Sequence, residues 1–316
     1  MDGNKLQSIP KPILYLLLIL VTTIPLFADL SVPNKPQDAA IDLYAELMKL
    51  EPGSTILIAS DWTGSTRGES KGAFRAIMKI LMRRGVKVAF YSSADPQAPR
   101  VYQDALTELN KEHVAEGGKP YERWSDWVNV GFFPNAEAAT NGISQDLKGA
   151  FTGRKDFPPG SVPKDVFASP VLEGKEKVED FKMLLVITAS KTSNITVERI
   201  YGKTPLAFAV TGVMVPETQV FYQAKQLVGF SGGLKGVLDL ETLLETGVNY
   251  PDKATAKVKS EKYDTIEGFP GKKNKGQGTK YYPTLHFALA FMILLVVVGN
   301  VGMIMSKRQA AAGGAK

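Results

Sequence analysis

The sequence contains no cysteine and only two histidines, His113 and His286, among its 316 residues. Without thiols the chain cannot form disulfides, thiolate nucleophiles, zinc knuckles or cysteine-ligated iron–sulfur clusters. Two imidazoles that lie far apart in the chain do not favour a histidine metal site or a Ser-His-Asp triad. The composition therefore excludes cysteine chemistry and disfavours catalysis that depends on histidine.

A long tract of one charge sign is also missing. The formal net charge is +6, and the lysines and arginines are mixed with acids along the chain, apart from Lys272, Lys273, Lys275 and Lys280. Nucleic-acid-binding proteins normally concentrate basic residues in a patch or stripe. We therefore predict no nucleic-acid partner. The hydrophobic content of 44% and the charged content of 22% are typical of a chain that folds around a core.

An uncharged segment at residues 12–28 lies near the start of the chain. Its length is at the lower limit for crossing a hydrocarbon core of roughly 30 Å. Lys5 and Lys11 precede it and also suit the basic start of a cleaved signal peptide. Pro25 and the bulky Leu26 near the possible cleavage point favour a membrane anchor that is retained. We therefore predict a transmembrane helix here.

A second apolar segment, residues 285–305, carries no formal charge when His286 is neutral. Tyr281 and Tyr282 precede it as interfacial aromatics, and Lys307 with Arg308 follows it as a stop-transfer charge pair. Length, composition and flanking residues together predict a second transmembrane helix.

Charge near the first apolar segment predicts the orientation in the membrane. Lys5 and Lys11 precede that segment, whereas Asp29 and Asp38 follow it, so the N-terminus is predicted to be cytoplasmic. We predict this division of the chain: a cytoplasmic tail at 1–11, a transmembrane helix at 12–29, an extracytoplasmic α/β domain at 30–248, a charged flexible tether at 249–281, a second transmembrane helix at 282–305 and a cytoplasmic tail at 306–316.

Between the two apolar segments, runs of strand length alternate with amphipathic helical segments, which is typical of a parallel sheet covered by helices. The fold class predicted is α/β, with a Rossmann-like, doubly wound, mostly parallel five-stranded sheet. A long connection between the third and fourth runs suits the point where strand order reverses. The runs are residues 54–60, 87–93, 127–133, 182–189 and 206–212.

Four glycines follow the fifth run in a predicted helical segment that begins at Pro216. Gly229, Gly232, Gly233 and Gly236 are spaced i, i+3, i+4 and i+7, so on one helix they form a stripe without side chains. Such a stripe allows close approach of a second backbone and predicts an oligomer interface. A loop between two helices explains the same glycines equally well.

The stretch SDWTGSTRGES, residues 60–70, follows the first run and therefore lies at the carboxyl end of a predicted strand. Its glycines match neither the dinucleotide nor the P-loop fingerprint. One interpretation is a helix N-terminus with Ser65 or Thr66 as the cap and Glu69 completing a capping box. Another is an anion nest that uses Arg67. The candidate ligand-binding residues are Asp61, Thr63, Gly64, Ser65, Thr66 and Arg67, with Ser190 and Thr192 from the loop after the fourth run.

The five residues from Asp61 to Ser65 resemble the D-x-[ST]-x-S ion-binding loop of the von Willebrand factor A family. The resemblance implies Asp61, Thr63 and Ser65 as oxygen ligands of a divalent cation such as Mg²⁺. No other cofactor is predicted. The loop after the fourth run carries Lys191 and no carboxylate, and the second run is predicted to be parallel, both of which depart from the family pattern.

We expect a binding or scaffold subunit of a membrane assembly, attached to the lipid bilayer and associating with itself or with other membrane subunits. The alternative is a membrane-tethered Mg²⁺- or nucleotide-dependent hydrolase that uses the loop after the first strand. The acid and base candidates, Asp61, Asp95, Glu137 and Lys191, show no recognisable catalytic spacing. We therefore expect binding rather than catalysis.

Overall fold

The computed structural model describes residues 8–28, 32–158, 160–249, 258–270 and 274–313. Its contacts divide the chain into two compact units. The larger unit, Asn34–Gly278, contains the α/β sheet, and the smaller one combines Met1–Pro33 with Thr279–Lys316.

Helices and strands alternate through the larger unit, and the smaller unit holds one apolar helix near each end of the chain. The helices are α1 (Lys11–Phe27), α2 (Asp38–Lys49), α3 (Arg67–Arg84), α4 (Ala98–Ala115), α5 (Ala136–Phe151), α6 (Ser193–Ile200), α7 (Val215–Gln223), α8 (Gly233–Thr246) and α9 (Gln277–Gly313). The strands are β1 (Thr55–Asp61), β2 (Lys87–Ser92), β3 (Trp127–Phe132), β4 (Lys155–Asp156), β5 (Lys164–Asp165), β6 (Leu184–Thr188), β7 (Leu206–Val210) and β8 (Gly229–Gly232).

The main sheet is parallel and contains six strands in the order β3-β2-β1-β6-β7-β8. From β1 the chain winds through α3 and α4 towards β3, and from β6 it winds the other way towards β8. The order therefore reverses between β1 and β6, which is the Rossmann-like arrangement that the sequence predicts. The expected number of five strands was wrong, because β8 adds a sixth.

The strands are apolar on both faces because helices cover both sides of the sheet. Ile56 and Ile58 of β1 pack with α2, α3, α4 and α8, whereas Leu57 and Ala59 pack with α5 and α6 on the opposite face. Every residue of β1 is buried. This alternation places one core on each side of the sheet and leaves the loops at its edges to carry polar groups.

The four glycines after the fifth predicted strand do not lie on one helix face. Gly229 and Gly232 begin and end β8, Gly233 begins α8 with φ of +58°, and Gly236 lies in its first turn. All four are buried. Both the helix stripe and the plain loop were wrong for this segment. The reason is that a short strand rich in glycine has no apolar run by which the sequence pattern can identify it.

The close approach at Gly229 is between β8 and α2. A Cβ on Gly229 would lie 2.7 Å from Leu43 Cα and 2.9 Å from Ala39 O. The contacts of the glycine region are thus made inside one domain. They account for these glycines without a second subunit, and self-association stays a prediction.

The segment predicted as a flexible tether at 249–281 packs on the domain wherever the structure describes it before α9. Val258 and Tyr263 belong to the core on the α2 and α3 side. The Tyr44 hydroxyl donates to the Glu267 carbonyl at 3.1 Å. Residues 250–257 and 271–273 lie outside the described residues. The tether interpretation was wrong for 258–270, because Val258 and Tyr263 lie in the core and Ile266 and Phe269 pack against it. The spacing of these apolar residues shows neither a helical nor a strand period.

Arg83 of α3 also contacts the segment 258–270 and the residues that follow it. Its guanidinium donates to Asn274 Oδ1 at 2.6 Å and to Glu116 Oε2 at 3.1 Å, and it lies 5.1 Å from the ring centroid of Phe269. The Arg83 side chain is only 6% exposed. This buried arginine bonds two different side chains and thus joins α3, α4 and the segment that leads to α9.

Among the described residues, one helix is long and apolar enough to cross a membrane. It covers 34 residues, Gln277–Ala310, and contains an 18-residue window with a mean hydropathy of 2.5. Helix α1 is apolar but has 17 residues and contains Pro25. The first predicted span, at residues 12–29, is therefore present as a short apolar helix, and its crossing of a membrane stays a prediction.

We predict that Gly229→Ala destabilises the domain by about 1–3 kcal/mol, since the added methyl group has to push α2 away from β8. Thermal unfolding of the detergent-solubilised full chain measures this. Gly68→Ala is the matched control, because a Cβ at Gly68 of α3 meets nothing within 4 Å. An unchanged unfolding temperature for Gly229→Ala would contradict the close packing of β8 on α2.

Candidate functional site at the carboxyl edge of the sheet

The last residues of β1 and β6 stand opposite each other, since Asp61 pairs with Thr188 in the parallel register. The loops that follow, residues 62–66 and 189–192, therefore lie side by side. They flank the point where strand order reverses, which is where open α/β sheets place ligands. The structure thus brings the predicted candidates of both loops to the same edge of the sheet.

Asp61 turns towards the end of β2 rather than towards this crevice. Its Oδ1 accepts hydrogen bonds from the Ser92 hydroxyl at 2.8 Å, from Ser93 N at 2.6 Å and from Ala94 N at 3.0 Å. The Ser93 hydroxyl donates to Oδ2 at 3.3 Å. Asp61 is 8% exposed. The carboxylate therefore fixes the β2 loop, where unpaired backbone N–H groups would otherwise be buried.

The residues implied as magnesium ligands do not fit a metal site. The carboxylate of Asp61 is engaged by the β2 loop, and the hydroxyls of Thr63 and Ser65 bond each other at 3.0 Å. No group of three or more His, Asp or Glu side chains in the described part of the chain is arranged to hold a metal ion. The resemblance to the von Willebrand factor A loop is therefore limited to the order of residue types and does not extend to a metal site.

The predicted capping box is wrong. Helix α3 begins at Arg67 after the cap residue Thr66, and no side chain among the described residues caps it. Glu69 instead accepts a hydrogen bond from Gly212 N at 2.6 Å, in the loop after β7. The Glu69 carboxylate does not cap its own helix because it bonds the N–H group of Gly212 in the turn after β7.

The loop after β6 is built from hydroxyl-to-backbone hydrogen bonds. Ser190 N donates to Thr188 Oγ1 at 3.0 Å, and Thr192 N donates to Ser190 Oγ at 3.3 Å. Thr192 is the cap residue of α6, and its side chain makes no capping bond in the described structure. Lys191 is exposed at the tip of this loop.

Two helix N-termini therefore meet the crevice, α3 on one side and α6 on the other, and neither is capped by a side chain that the structure describes. A helix N-terminus carries partial positive charge. The first N–H groups of α6 donate to carbonyls of its own turn, Asn194 N to Lys191 O at 3.1 Å and Ile195 N to Thr192 O at 3.2 Å, so this helix contributes charge rather than free donors. Arg67 at the start of α3 and Lys191 before α6 add two exposed cations. This positive charge suits an anion.

Two hydroxyls that the sequence reasoning missed lie nearby in the fold. Thr211 follows β7 and Ser231 lies in β8, and both side-chain oxygens are buried without a hydrogen-bond partner in the described structure. Gly233 packs against Gly212, with 3.1 Å between the Cα of Gly212 and a Cβ built on Gly233. The feature of the sequence that could have identified this region is a hydroxyl residue next to a glycine, as at Thr211-Gly212.

The remaining acid candidates are engaged locally. Asp95 Oδ1 accepts from Gln97 N at 2.7 Å at the start of α4. Glu137 lies 3.8 Å from the guanidinium of Arg199. Each carboxylate has its own partner, so the loops described here do not assemble Asp61, Asp95 and Glu137 into an acid–base pair.

Comparison with protein-family models, with curated proteins and with solved structures gives no match for this chain. Function has to be argued from the position and chemistry of the crevice itself.

We predict that Asp61→Ala lowers the free energy of unfolding by about 1–3 kcal/mol, because it leaves the buried N–H of Ser93 without its acceptor and removes one acceptor each from the Ser92 hydroxyl and Ala94 N. Chemical denaturation of the full chain in detergent measures this. Asp104→Ala, at an exposed acid on α4, is the control and should change stability little. A catalytic or metal role is favoured instead if Asp61→Ala folds with wild-type stability and loses a Mg²⁺-dependent thermal shift.

Proposed function

We propose that this protein is a doubly anchored membrane protein whose extracytoplasmic α/β domain binds a small anionic ligand, as the binding or scaffold subunit of a membrane assembly. The observation that carries the proposal is the crevice between the loops after β1 and β6. The N-termini of α3 and α6 lie there at the reversal of strand order, and the exposed residues Arg67 and Lys191 stand at the start of these helices.

The ligand class follows from the charges at this crevice. Each helix N-terminus stabilises an anion by about 0.3–1 kcal/mol, and a hydrogen bond to a charged group contributes about 1.5–3 kcal/mol. Arg67 and Lys191 therefore have to supply most of the affinity. A phosphate or a carboxylate has several acceptor oxygens and forms strong charge-assisted hydrogen bonds with cations of this kind. Hydroxyls at Thr63, Ser65 and Thr192 suit the rest of a polar ligand.

Attachment through two spans is supported by how the larger unit begins and ends. The Asn34 side chain donates to Thr242 Oγ1 at 2.9 Å, and Gly278 N donates to Glu241 Oε1 at 3.0 Å. Both ends of the domain are thus held on α8. Because both ends of the domain are held on one helix, the two connecting segments can lead to two spans that enter the membrane from the same side.

The hydrogen bonds of Asp61, the best catalytic candidate, favour binding over the hydrolase alternative. Three donors saturate Asp61 Oδ1, and the carboxylate points away from the crevice. A general base has to reach the proton that it removes. Self-association is kept as part of the proposal, but its surface is not the enclosed segment from Gly229 to Gly236.

The topology is tested with single cysteines, because the natural chain has none. We expect a membrane-impermeant maleimide to label Val213→Cys in intact cells, since Val213 is 84% exposed in the domain. Ala310→Cys, beyond the apolar part of α9, should be labelled only after permeabilisation. The cysteine-free chain is the control for background. Protection of Val213→Cys in intact cells would place the domain in the cytoplasm and overturn the proposed orientation.

Anion binding is tested by thermal unfolding of the full chain in detergent with inorganic phosphate, against chloride at equal ionic strength. We expect phosphate to raise the unfolding temperature, since a ligand that binds the folded state stabilises it. Arg67→Gln combined with Lys191→Gln should weaken the apparent affinity by at least about tenfold, which is ~1.4 kcal/mol.

Arg100→Gln combined with Lys111→Gln removes two exposed cations of α4 and is the matched control for net charge. If both double variants respond to phosphate as the natural chain does, the crevice is not the anion site.

A further inference from the structure

Glu69 of α3 differs from Asp61 in how its carboxylate oxygens are used. Its Oε2 accepts from Gly212 N at 2.6 Å, and its Oε1 accepts no hydrogen bond from the residues that the structure describes. Glu69 is half-buried, whereas Asp61 is 8% exposed and accepts with both oxygens. Glu69 can therefore hold the loop after β7 with one oxygen and accept from a second donor with the other.

The bond between Glu69 and Gly212 crosses the carboxyl end of β6. Strand β6 lies between β1 and β7 and pairs with both in parallel register. Helix α3 follows β1 and Gly212 follows β7, so the Glu69 side chain connects the two neighbours of β6. Strands in a sheet are about 4.8 Å apart, which puts the ends of β1 and β7 roughly 10 Å from each other. Glu69 therefore borders the same crevice as Arg67 and Lys191.

The start of α8 explains why a carboxylate is stable at this place. A Cβ built on Gly233, the first residue of α8, would lie 3.5 Å from Glu69 Oε2 and 3.1 Å from Gly212 Cα. Gly233 has φ of +58°, a conformation that favours glycine. The positive end of a helix stabilises a negative charge beside it. The absence of a side chain at Gly233 thus leaves the space that the Glu69 carboxylate occupies.

A buried hydroxyl beside the same bond has hydrogen-bonding capacity that is not used. Thr211 precedes Gly212 and is 8% exposed, and its Oγ1 makes no hydrogen bond in the part of the chain that the structure describes. Most buried hydroxyls in proteins have a partner. The loop after β7 is therefore polar where it meets the crevice, and it suits a ligand that brings hydrogen-bonding groups of its own.

The positions of Arg67 and Glu69 indicate a ligand with two different ends. Residues two apart on a helix point to different sides, so one small group cannot contact both side chains. A carboxylate repels a phosphate but accepts a charge-assisted hydrogen bond from a hydroxyl. Two exposed cations, Arg67 and Lys191, match the charge of about −1.5 to −2 that a phosphate monoester carries at pH 7. The charges therefore favour a phosphate at one end and hydroxyl groups at the other.

We propose that the crevice binds a phosphate ester whose carbon chain carries hydroxyl groups, a ligand of the polyol-phosphate class. The assignment rests on the proposed anion site at Arg67 and Lys191 and names the ligand class of that site. The two cations hold the phosphate, and Glu69 Oε1 accepts from a hydroxyl while Oε2 keeps its bond to Gly212 N. Glu69 is thus the residue that determines specificity.

The test compares glycerol 3-phosphate with propyl phosphate, which has the same number of carbons and no hydroxyl group. Each ester is titrated onto the full chain in detergent, and the rise in unfolding temperature measures the apparent affinity. We expect glycerol 3-phosphate to bind at least about tenfold more tightly, because its hydroxyl donates to a charged acceptor.

Glu69→Gln separates the two functions of this side chain. The amide keeps an oxygen for Gly212 N and replaces the unused oxygen by an NH₂ group, which cannot accept from a hydroxyl. We expect the preference for glycerol 3-phosphate to fall below about threefold, while propyl phosphate binds equally or more tightly because a negative charge has been removed. Glu173→Gln, at an exposed acid in the connection before β6, removes the same charge and should keep the preference.

The outcomes separate this assignment from the anion site itself. Equal affinity of the natural chain for the two esters would overturn the ligand class and leave the anion site intact. A preference that survives in Glu69→Gln would show that Glu69 does not bind the hydroxyl. If neither ester raises the unfolding temperature, the anion site fails and the ligand class fails with it. The comparison on the natural chain does not depend on how well the variant folds.

Discussion

The central position of β1 is the constraint on which the rest of this structure depends. β1 pairs with β2 on one side and with β6 on the other, in parallel register. Because parallel strands end at the same edge of a sheet, their loops are brought together there without any motif in the sequence. Helices α3 and α6 start from this edge and leave on opposite faces. The positive ends of two helices are therefore directed at one crevice.

Polar residues at this edge divide into those that hold the scaffold and those that face solvent. Asp61 and Glu69 belong to the first group, because each carboxylate accepts backbone N–H groups from a loop after another strand. Arg67 and Lys191 belong to the second. Asp61 satisfies the buried N–H of Ser93, the bond between Glu69 and Gly212 N lies at the surface, and Arg67 and Lys191 are exposed. Binding of an anion is the function that this division supports.

Helix α8 connects this edge to the places where the chain leaves the domain. Its first residue, Gly233, packs on the loop after β7, and its middle carries Asp239 and Glu241. Burial of two acids in one helix is unfavourable unless each has donors, and here the donors include Gln37 N for Asp239 and Gly278 N for Glu241.

Local pattern was sufficient for the α/β class, the parallel sheet, the apolar C-terminal helix and the placement of residues 60–70 at a strand end, because burial on both faces produces continuous apolar runs. The tertiary structure decided what lacks such a pattern. Gly229 allows α2 to pack closely on β8, and residues 258–270 belong to the domain because a few apolar side chains pack in its core. Asp61 bonds the loop after β2 and not a group in the crevice. Each outcome depends on a contact between residues distant in sequence, and a local period contains no information about such contacts.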